Sequence, residues 1–324
     1  MELAKAFNLT YDSVGYQLKK LKTQGREVPD FTGCRLINRP IPKPNKTFDD
    51  TYDEFCELIG KTSKKIQHPP VKKSDRKKII VISDSHNPFV NKEKFAEFLA
   101  QEKANLLIVD GDIDDLYPLS RFPKKKDVNA VDSLKETDWF LKTLSEHFPE
   151  VELILGNHDN RVYRVFEKAG IQPDIIRAFV KTDYMSYMAN QYPNVNVVST
   201  KVNTPGVDEI FHFRIIGKDA VAGHWETYSK INLRAAENCF LWWQQWASTL
   251  NLPPIRLLLQ AHTHQLGSRM VWGDKCYGET GCICQVQEYT VDGRVGYTPP
   301  QFGYWVIYQN KGITDLKESR YIPL

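Results

Sequence analysis

Three short apolar runs that alternate with helical patterns are the feature that most constrains the fold of this 324-residue chain. The runs are Ile79 to Ile82, Leu106 to Val109 and Val151 to Leu155, all rich in residues that favour buried strands. An amphipathic pattern around Phe95 separates the first two runs, and another from Ser133 to Phe148 precedes the third. Because strands that alternate with helices form a sheet covered by helices, the sequence predicts an α/β sandwich.

Composition excludes several other classes of protein. Hydrophobic residues make up 41% and charged residues 26% of the chain, which argues against a disordered, collagen-like or coiled-coil protein. Six cysteines occur without a C-x-x-C pair, which favours reduced thiols and a cytoplasmic location. No signal-peptide pattern and no run of about 18 apolar residues occurs, so neither secretion nor a membrane partner is predicted.

Charge and proline content divide the chain into three predicted parts. Residues 1–27 form a helical segment, residues 28–71 a proline-rich and basic linker with a short helix, and residues 72–324 the main domain. The net charge of +3 is too small by itself to indicate nucleic-acid binding. Eight Lys and Arg residues and a single acid nevertheless lie between Lys61 and Lys78, so this stretch carries 8 − 1 = +7. It is either a solvated linker or a contact for nucleic acid.

The first segment resembles a helix-turn-helix. Leu3 and Phe7 mark a first helix, and Val14, Leu18 and Leu21 mark a second one. In that motif the start of the second helix enters the major groove, and its basic end lies near phosphates. The predicted nucleic-acid contacts are then Tyr11, Ser13, Tyr16, Gln17 and Lys20. Paired amphipathic helices also occur in proteins that never bind DNA.

Polar motifs follow each of the three predicted strands and recur later in the chain. They are Asp84-Ser85-His86, Gly111-Asp112-Ile113-Asp114-Asp115, Gly156-Asn157-His158-Asp159, Gly223-His224 and Ala261-His262-Thr263-His264. Open α/β sheets build their sites at the carboxyl ends of strands, and these side chains are ligands of divalent metals. The motifs therefore predict one shared metal site.

In this order the motifs resemble the calcineurin-like metallophosphoesterases, with their D-x-H, G-D-x-x-D, G-N-H-[DE], H and G-H-x-H pattern. The resemblance covers Lys78 to Gly267, and the later GCICQVQEY and PPQFGYWVIY are similar to a bacterial and phage-borne subgroup. It implies a sandwich of two mixed β-sheets flanked by helices. It also implies two divalent ions, with Mn expected and Fe, Zn, Ni or Mg as alternatives.

The resemblance assigns ligands to each ion. One ion would be held by Asp84, His86, Asp112 and His264, and the other by Asp112, Asn157, His224 and His262. Asp112 would bridge the ions, and a hydroxide shared between them would attack phosphorus in line.

Four further residues receive implied roles near the ions. His158 would be the general acid, with Asp159 orienting its ring or raising its pKa. Arg161 would bind phosphate oxygens, and Asp115 would orient ligands without being one. The arginine that follows G-D-x-x-D in protein phosphatases is Leu116 here, which makes a phosphoprotein substrate less favoured.

Two other groups of residues are expected to be structural. Trp242 and Trp246 are four residues apart on a predicted helix, and this spacing favours core packing over stacking on bases. Cys282 and Cys284 are predicted to be buried strand thiols, since no cysteine or histidine lies near them in the sequence to complete a metal site.

The sequence thus favours a two-metal phosphodiesterase or nuclease acting on nucleic acid. The basic run, the first segment and Lys124-Lys125-Lys126 favour that substrate. One alternative is a phosphomonoesterase acting on a small nucleotide or metabolite, for which the same ligands suffice. A second alternative is a DNA-binding regulator with a non-catalytic hydrolase body.

Overall fold

The computed structural model describes residues 76–120, 128–171, 184–204, 207–286 and 299–324, with the backbone alone for the part of residues 201–211 that it includes. The predicted segment 1–27, the linker 28–71 and Lys124 to Lys126 lie outside the described residues. All five predicted nucleic-acid contacts belong to that first segment, so they remain predictions.

The first sheet carries the three predicted strands side by side. Within the described ranges it has seven strands in the order β13-β12-β1-β2-β3-β4, with β14 also paired to β12. The middle strands β1 to β4 are parallel, whereas β12 runs antiparallel to β1. The strands are β1 (Arg76–Ile82), β2 (Leu106–Asp110), β3 (Val151–Ile154), β4 (Val195–Val197), β12 (Gly303–Asn310), β13 (Ile313–Thr314) and β14 (Arg320–Pro323).

The second sheet is also mixed. It has five strands among the described residues, in the order β10-β11-β9-β8-β7, and β9 runs parallel to both of its neighbours. Its strands are β7 (Phe213–Ile216), β8 (Ala220–Gly223), β9 (Leu257–Gln260), β10 (Leu266–Val271) and β11 (Lys275–Thr280). A separate two-stranded ribbon pairs β5 (Thr200–Thr204) with β6 (Val207–Phe211).

Five α-helices lie among the described residues. They are α1 (Lys92–Gln101), α2 (Ala130–His147), α3 (Arg161–Lys168), α4 (Tyr184–Ala189) and α5 (Arg234–Trp246). Asn91 and Asn129 accept backbone N–H groups at the starts of α1 and α2, which satisfies donors that a helix leaves unpaired. None of the described helices is long and apolar enough to cross a membrane.

Three apolar layers hold the sheets and helices together. Ile79 and Trp305 of the first sheet meet Leu257 and Leu259 of the second in the central layer. A second layer packs the other face of the first sheet against α1, α2 and α4, and a third packs the second sheet against α5. The prediction of two mixed β-sheets flanked by helices is therefore confirmed.

The tryptophan pair on α5 divides between core and surface. Trp242 packs partly buried against the outer core layer, whereas Trp246 is 47% exposed. The fully buried ring is that of Trp243, whose indole N–H donates to the carbonyl of Pro253 at 2.9 Å. Core packing is thus confirmed for Trp242, and the prediction for Trp246 is wrong because nearly half of its surface is exposed.

Candidate metal centre

The loops that follow β1 and β2 are bound to each other along their backbones. The N–H of Asp84 donates to Gly111, that of His86 to Asp112 and that of Asn87 to Ile113, at 3.2, 2.9 and 2.9 Å. These bonds continue the parallel pairing of the two strands beyond their ends. The D-x-H and G-D motifs are therefore fixed beside one another at the carboxyl edge of the sheet.

One group of ligand atoms gathers around Asp84. Its Oδ1 lies 3.2 Å from His264 Nε2 and 3.7 Å from His86 Nε2, and the two ring nitrogens are 3.1 Å apart. His86 Nε2 also lies 3.7 Å from Asp112 Oδ2. All four side chains are buried. The four residues assigned by resemblance to one ion thus lie together.

A second group gathers on the other side of Asp112. His224 Nε2 lies 3.3 Å from Asp112 Oδ2 and 3.3 Å from Asn157 Oδ1. Asp112, His224 and His262 each offer a ligand atom within 4.8 Å of the others. The four residues assigned to the second ion are therefore also brought together, and Asp112 belongs to both groups.

Many of these ligands have an unusual backbone conformation. Asp84, His86, Asp112, His262 and His264 have φ angles of 52°, 47°, 48°, 74° and 56°, in the left-handed region. Such residues carry strain and persist where the surrounding structure holds them, typically at functional sites. Ala261 does not have a positive φ, and the turn of its motif lies instead at the two histidines.

Two glycines have no side chain where candidate ligands pass close to the backbone. A Cβ on Gly111 would lie 2.1 Å from His224 Nδ1, and φ at this glycine is +77°. A Cβ on Gly156 would lie 2.2 Å from Asp112 Oδ1. Both motif glycines are thus required by the close approach of a candidate metal ligand.

The donor set fits divalent cations. His86 donates through Nδ1 to Asp115, so a neutral ring presents only a lone pair at Nε2. That lone pair faces His264 Nε2 and two carboxylates, and the buried Oδ1 of Asp84 has no hydrogen-bond partner within the described part of the chain. Electron pairs converging in a buried space need a cation between them.

The electrostatics of the cluster also favour positive charge. Burial opposes the charged form of His224, but the carboxylates of Asp112, Asp84 and Asp110 together outweigh it and raise the pKa of that histidine. Burial opposes the charged form of His264, but the neighbouring Cys284 and Asp84 favour it, and the net effect raises the pKa of this histidine to about 10. Burial and then His224 lower the pKa of His262 to about 4, so this ring is held neutral and able to bind a metal.

Asp115 links His86, a candidate metal ligand, to the candidate general acid. Its Oδ1 lies 3.1 Å from His86 Nδ1 and 2.7 Å from His158 Nδ1. Burial opposes its ionisation, but the hydrogen bonds from the two histidines prevail and lower its pKa. Asp115 therefore orients both rings as an anion and directs Nε2 of each toward the metal cluster.

Arg161 lies against this pair. Its Nη1 donates to the Asp115 carbonyl oxygen and, at 3.2 Å, to Asp115 Oδ2, while its Nη2 lies 3.0 Å from His158 Nε2. The side chain is 15% exposed. Arg161 thus lies at the site as expected, but its guanidinium is engaged by protein groups.

Asp159 occupies a different place from the one expected. Its carboxylate accepts the backbone N–H groups of Ile113, Asp114 and Gly156 at 3.0, 3.0 and 2.8 Å. Burial, followed by the charge of Asp112, raises the pKa of Asp159 to about 7. The expectation that Asp159 orients the His158 ring is wrong, since Asp115 makes that contact and Asp159 holds the two loops together.

Sequence reasoning left Asp114 without a role, and the structure gives it one. Its carboxylate accepts hydrogen bonds from Ser133, Thr137 and Tyr184, which belong to α2 and α4, and from the backbone of Leu116. Asp114 therefore ties the ligand-bearing loop to the helical layer. The spacing of Ser133 and Thr137 by one helical turn is the signal that a sequence could offer.

Cys284 lies beside the cluster, although the sequence analysis gave it only a structural role. Both Cys282 and Cys284 are buried, as expected, but they form isolated bridges after β11 and do not belong to a strand. Cys284 Sγ lies 3.9 Å from His264 Nδ1. His86, His264 and Cys284 also form a group whose ligand atoms lie within 4.8 Å of one another. The expectation that no histidine lies nearby is wrong because the chain folds residues 20 positions apart into contact.

Comparison with known proteins assigns the family. The model of the calcineurin-like phosphoesterases matches residues 77–289, a range that contains every ligand described above. The chain belongs to the calcineurin-like phosphoesterase family. No curated protein matches it. The family assignment agrees with the two mixed sheets and with the buried Asp and His cluster at their edge.

Several solved structures resemble this calcineurin-like phosphoesterase at low identity. A metallophosphoesterase from Sphaerobacter thermophilus is 14% identical, with 77% of this chain and 88% of that chain covered and a TM-score of 0.37. Yfce, a phosphoesterase from E. coli, is 13% identical, with 72% and 91% covered and a TM-score of 0.30. A single mutant of Vps29 from Entamoeba histolytica is 13% identical, with 76% and 99% covered and a TM-score of 0.34.

Proposed function

We propose that this protein is a phosphodiesterase that uses two divalent ions to hydrolyse nucleic acid. The observation that carries the proposal is the pair of ligand groups that share Asp112, with buried electron-pair donors facing one another at 3.1 to 3.3 Å. When bound, two divalent ions polarise phosphoryl oxygens and lower the pKa of water toward neutrality. The Asp, His and Asn donors suit Mn and also Fe, Zn, Ni or Mg.

The charge around the site favours a phosphodiester over a phosphomonoester. A diester carries one negative charge, whereas a monoester carries about 1.5 to 2 at neutral pH and needs more cationic side chains. Arg161 is already engaged by Asp115 and His158, and Arg164 pairs with Glu226. In the described part of the chain both arginines are thus paired with protein groups before a substrate binds, which favours the lower charge of a diester.

His158 is suited to protonate the leaving alkoxide. Its Nδ1 is fixed by Asp115, and its Nε2 lies 3.8 Å from Asp112 Oδ2, at the edge of the metal cluster. In the described structure Arg161 donates to that same Nε2. A substrate phosphate that draws the guanidinium to its own oxygens would free Nε2 to carry and donate a proton.

Surface features favour a long substrate. The segment between His224 and α5 exposes Tyr228 and Ile231, at 38% and 63% of their surfaces. The predicted basic run between Lys61 and Lys78 and the helix-turn-helix-like segment add sequence support for nucleic acid. These features suit a polymer better than a small metabolite.

The test compares substrates that differ in charge and length. Hydrolysis of bis-p-nitrophenyl phosphate and of p-nitrophenyl phosphate is measured with Mn²⁺, alongside labelled single- and double-stranded DNA. Asp112→Ala, which removes the shared ligand, is the control for a contaminating enzyme. We expect cleavage of the diester and of DNA by the wild type only. Monoester cleavage with intact DNA would identify a small-molecule phosphatase, and salt-dependent DNA binding without hydrolysis would identify a regulator.

The role of His158 has its own variant. His158→Ala is expected to keep its metal and to slow diester hydrolysis by roughly 10²- to 10⁴-fold, as expected for loss of a general acid. A substrate with a much better leaving group should recover most of the rate, because its departure needs no proton. Full activity of the variant on a poor leaving group would contradict the acid role.

A further inference from the structure

Of the four candidate ligand histidines, His86, His224 and His264 have three different kinds of partner at Nδ1, whereas His262 Nδ1 has no hydrogen-bond partner within the described part of the chain. His86 Nδ1 faces the Asp115 carboxylate at 3.1 Å, and His224 Nδ1 faces the backbone carbonyl of Asp110 at 3.0 Å. His264 Nδ1 instead faces the sulfur of Cys284 at 3.9 Å. Ligand histidines usually donate this N–H to oxygen, which fixes the tautomer and the orientation of the ring.

The backbone holds Cys284 firmly in this place. The N–H of Gln285 donates to Phe89 at 2.7 Å, and that of Asn91 donates to Ile283 at 2.8 Å, so the segment is bound on both sides of Cys284. The side chain has no exposed surface. Its sulfur is therefore a fixed feature of the wall behind His264.

The tautomer of His264 decides whether it can bind a metal. Its Nε2 lies 3.2 Å from Asp84 Oδ1 and 3.1 Å from His86 Nε2, so this nitrogen is directed into the cluster. Binding there requires a lone pair at Nε2 and hence the proton at Nδ1. Of the partners that the structure gives Nδ1, the sulfur of Cys284 is the one that can accept that proton's hydrogen bond.

We propose that Cys284 is a positioning residue of the metal centre, whose sulfur accepts the Nδ1–H of His264 and thereby directs Nε2 to the ion shared with Asp84 and His86. The inference rests on the proposed metal-dependent function. It assigns Cys284 to one ion only, because the second group contains His224 and His262, and His224 Nδ1 is held by a backbone carbonyl. Loss of the thiol should therefore lower the affinity of the protein for one ion and leave its affinity for the other unchanged.

The test measures metal binding without relying on activity. Metal-free protein is titrated with Co²⁺ and followed by calorimetry and by the visible spectrum of the bound ion, with two binding steps expected for the wild type. Cys284→Ala should weaken one step by roughly 10- to 100-fold and change the spectrum of that ion. Cys284→Ser should recover most of the affinity, since a hydroxyl oxygen also accepts the Nδ1–H. Cys276→Ala is the control, because this buried thiol packs in the layer between the sheets.

Each outcome separates a positioning role from its rivals. Equal affinities for Cys284→Ala and Cys276→Ala would overturn the proposal. So would a Cys284→Ser variant as weak as Cys284→Ala, which would make the effect one of packing. A thiolate-to-cobalt charge-transfer band in the near ultraviolet would overturn it in favour of direct ligation by sulfur. A wild type that binds two ions but cleaves no phosphoester would defeat the proposed function and leave the role of Cys284 to be decided by the variants.

Discussion

Replacing Gly156 with alanine tests whether the position of Asp112 controls catalysis. The backbone of Gly156 does not have a positive φ, so alanine is acceptable there apart from its contacts. Its new Cβ would lie 2.2 Å from Asp112 Oδ1 and 2.3 Å from Asp112 N, whereas ordinary contacts are about 3.5 Å or longer. Asp112 must therefore move by about 1 Å, and a backbone atom is among those displaced.

The displacement has a definite expected cost. Asp112 belongs to both ligand groups, and its Oδ1 accepts the backbone N–H of His158 at 2.8 Å, so a shift disturbs both ions and the general acid. A misplacement of about 1 Å in a catalytic group lowers the rate by roughly 10²-fold. We expect kcat/KM for diester hydrolysis to fall by about this factor in Gly156→Ala, together with a lower metal content.

A matched glycine provides the control. Gly267 lies three residues after His264, and a Cβ there would be 3.4 Å from Leu233 Cδ2, so Gly267→Ala should keep activity and metal. The activity of both variants is assayed with bis-p-nitrophenyl phosphate, and their metal content is measured by mass spectrometry. The two quantities are then compared for each variant. Wild-type activity and metal content in Gly156→Ala would refute the reasoning, since the cluster would then tolerate a displaced Asp112.

Four further substitutions test other parts of the account. Asp115→Asn removes the charge that orients His86 and His158, and kcat should fall by roughly 10²-fold; an unchanged kcat in steady-state assays would contradict that role. Burial raises the pKa of Glu279 from 4.5 to about 7, so its ionisation destabilises the folded state as pH rises through this range. Urea unfolding of the wild type should therefore show a loss of about 3 kcal/mol between pH 5 and 8 that Glu279→Gln lacks. Trp243→Ala empties a fully buried site and should lower the free energy of unfolding by about 3 to 5 kcal/mol, whereas Trp246→Ala, at a half-exposed site, should lower it by less than about 1 kcal/mol.

The sequence was sufficient for the central strands and for the polar side chains that gather at their carboxyl edge. Buried parallel strands are continuous apolar runs, so β1, β2 and β3 could be predicted to within a few residues. Motifs that directly follow such strands must lie at one edge of the sheet, and this edge is where Asp84, Asp112 and Asn157 are found.

Contacts that depend on loop conformation could not be predicted in this way. Asp159 follows His158 directly, yet its side chain turns to backbone donors, and Asp115 from the preceding loop holds the ring. The left-handed φ at Asp112 helps to set the directions of these side chains. Hydrophobic periodicity does not predict such a backbone conformation. Cys284 contacts His264 because β10, β11 and the loop after them fold back toward the cluster. A contact between residues this far apart in the sequence cannot be read from a local pattern.

The number of divalent ions that each chain binds is the most direct test of the account. Metal-free protein is incubated with Mn²⁺, freed of excess metal, and measured by inductively coupled plasma mass spectrometry together with diester hydrolysis. The account predicts two ions per wild-type chain, activity that rises with the second ion, and loss of both ions and activity in Asp112→Ala. Full hydrolysis by the metal-free chain, or undiminished binding of two ions by Asp112→Ala, would contradict it.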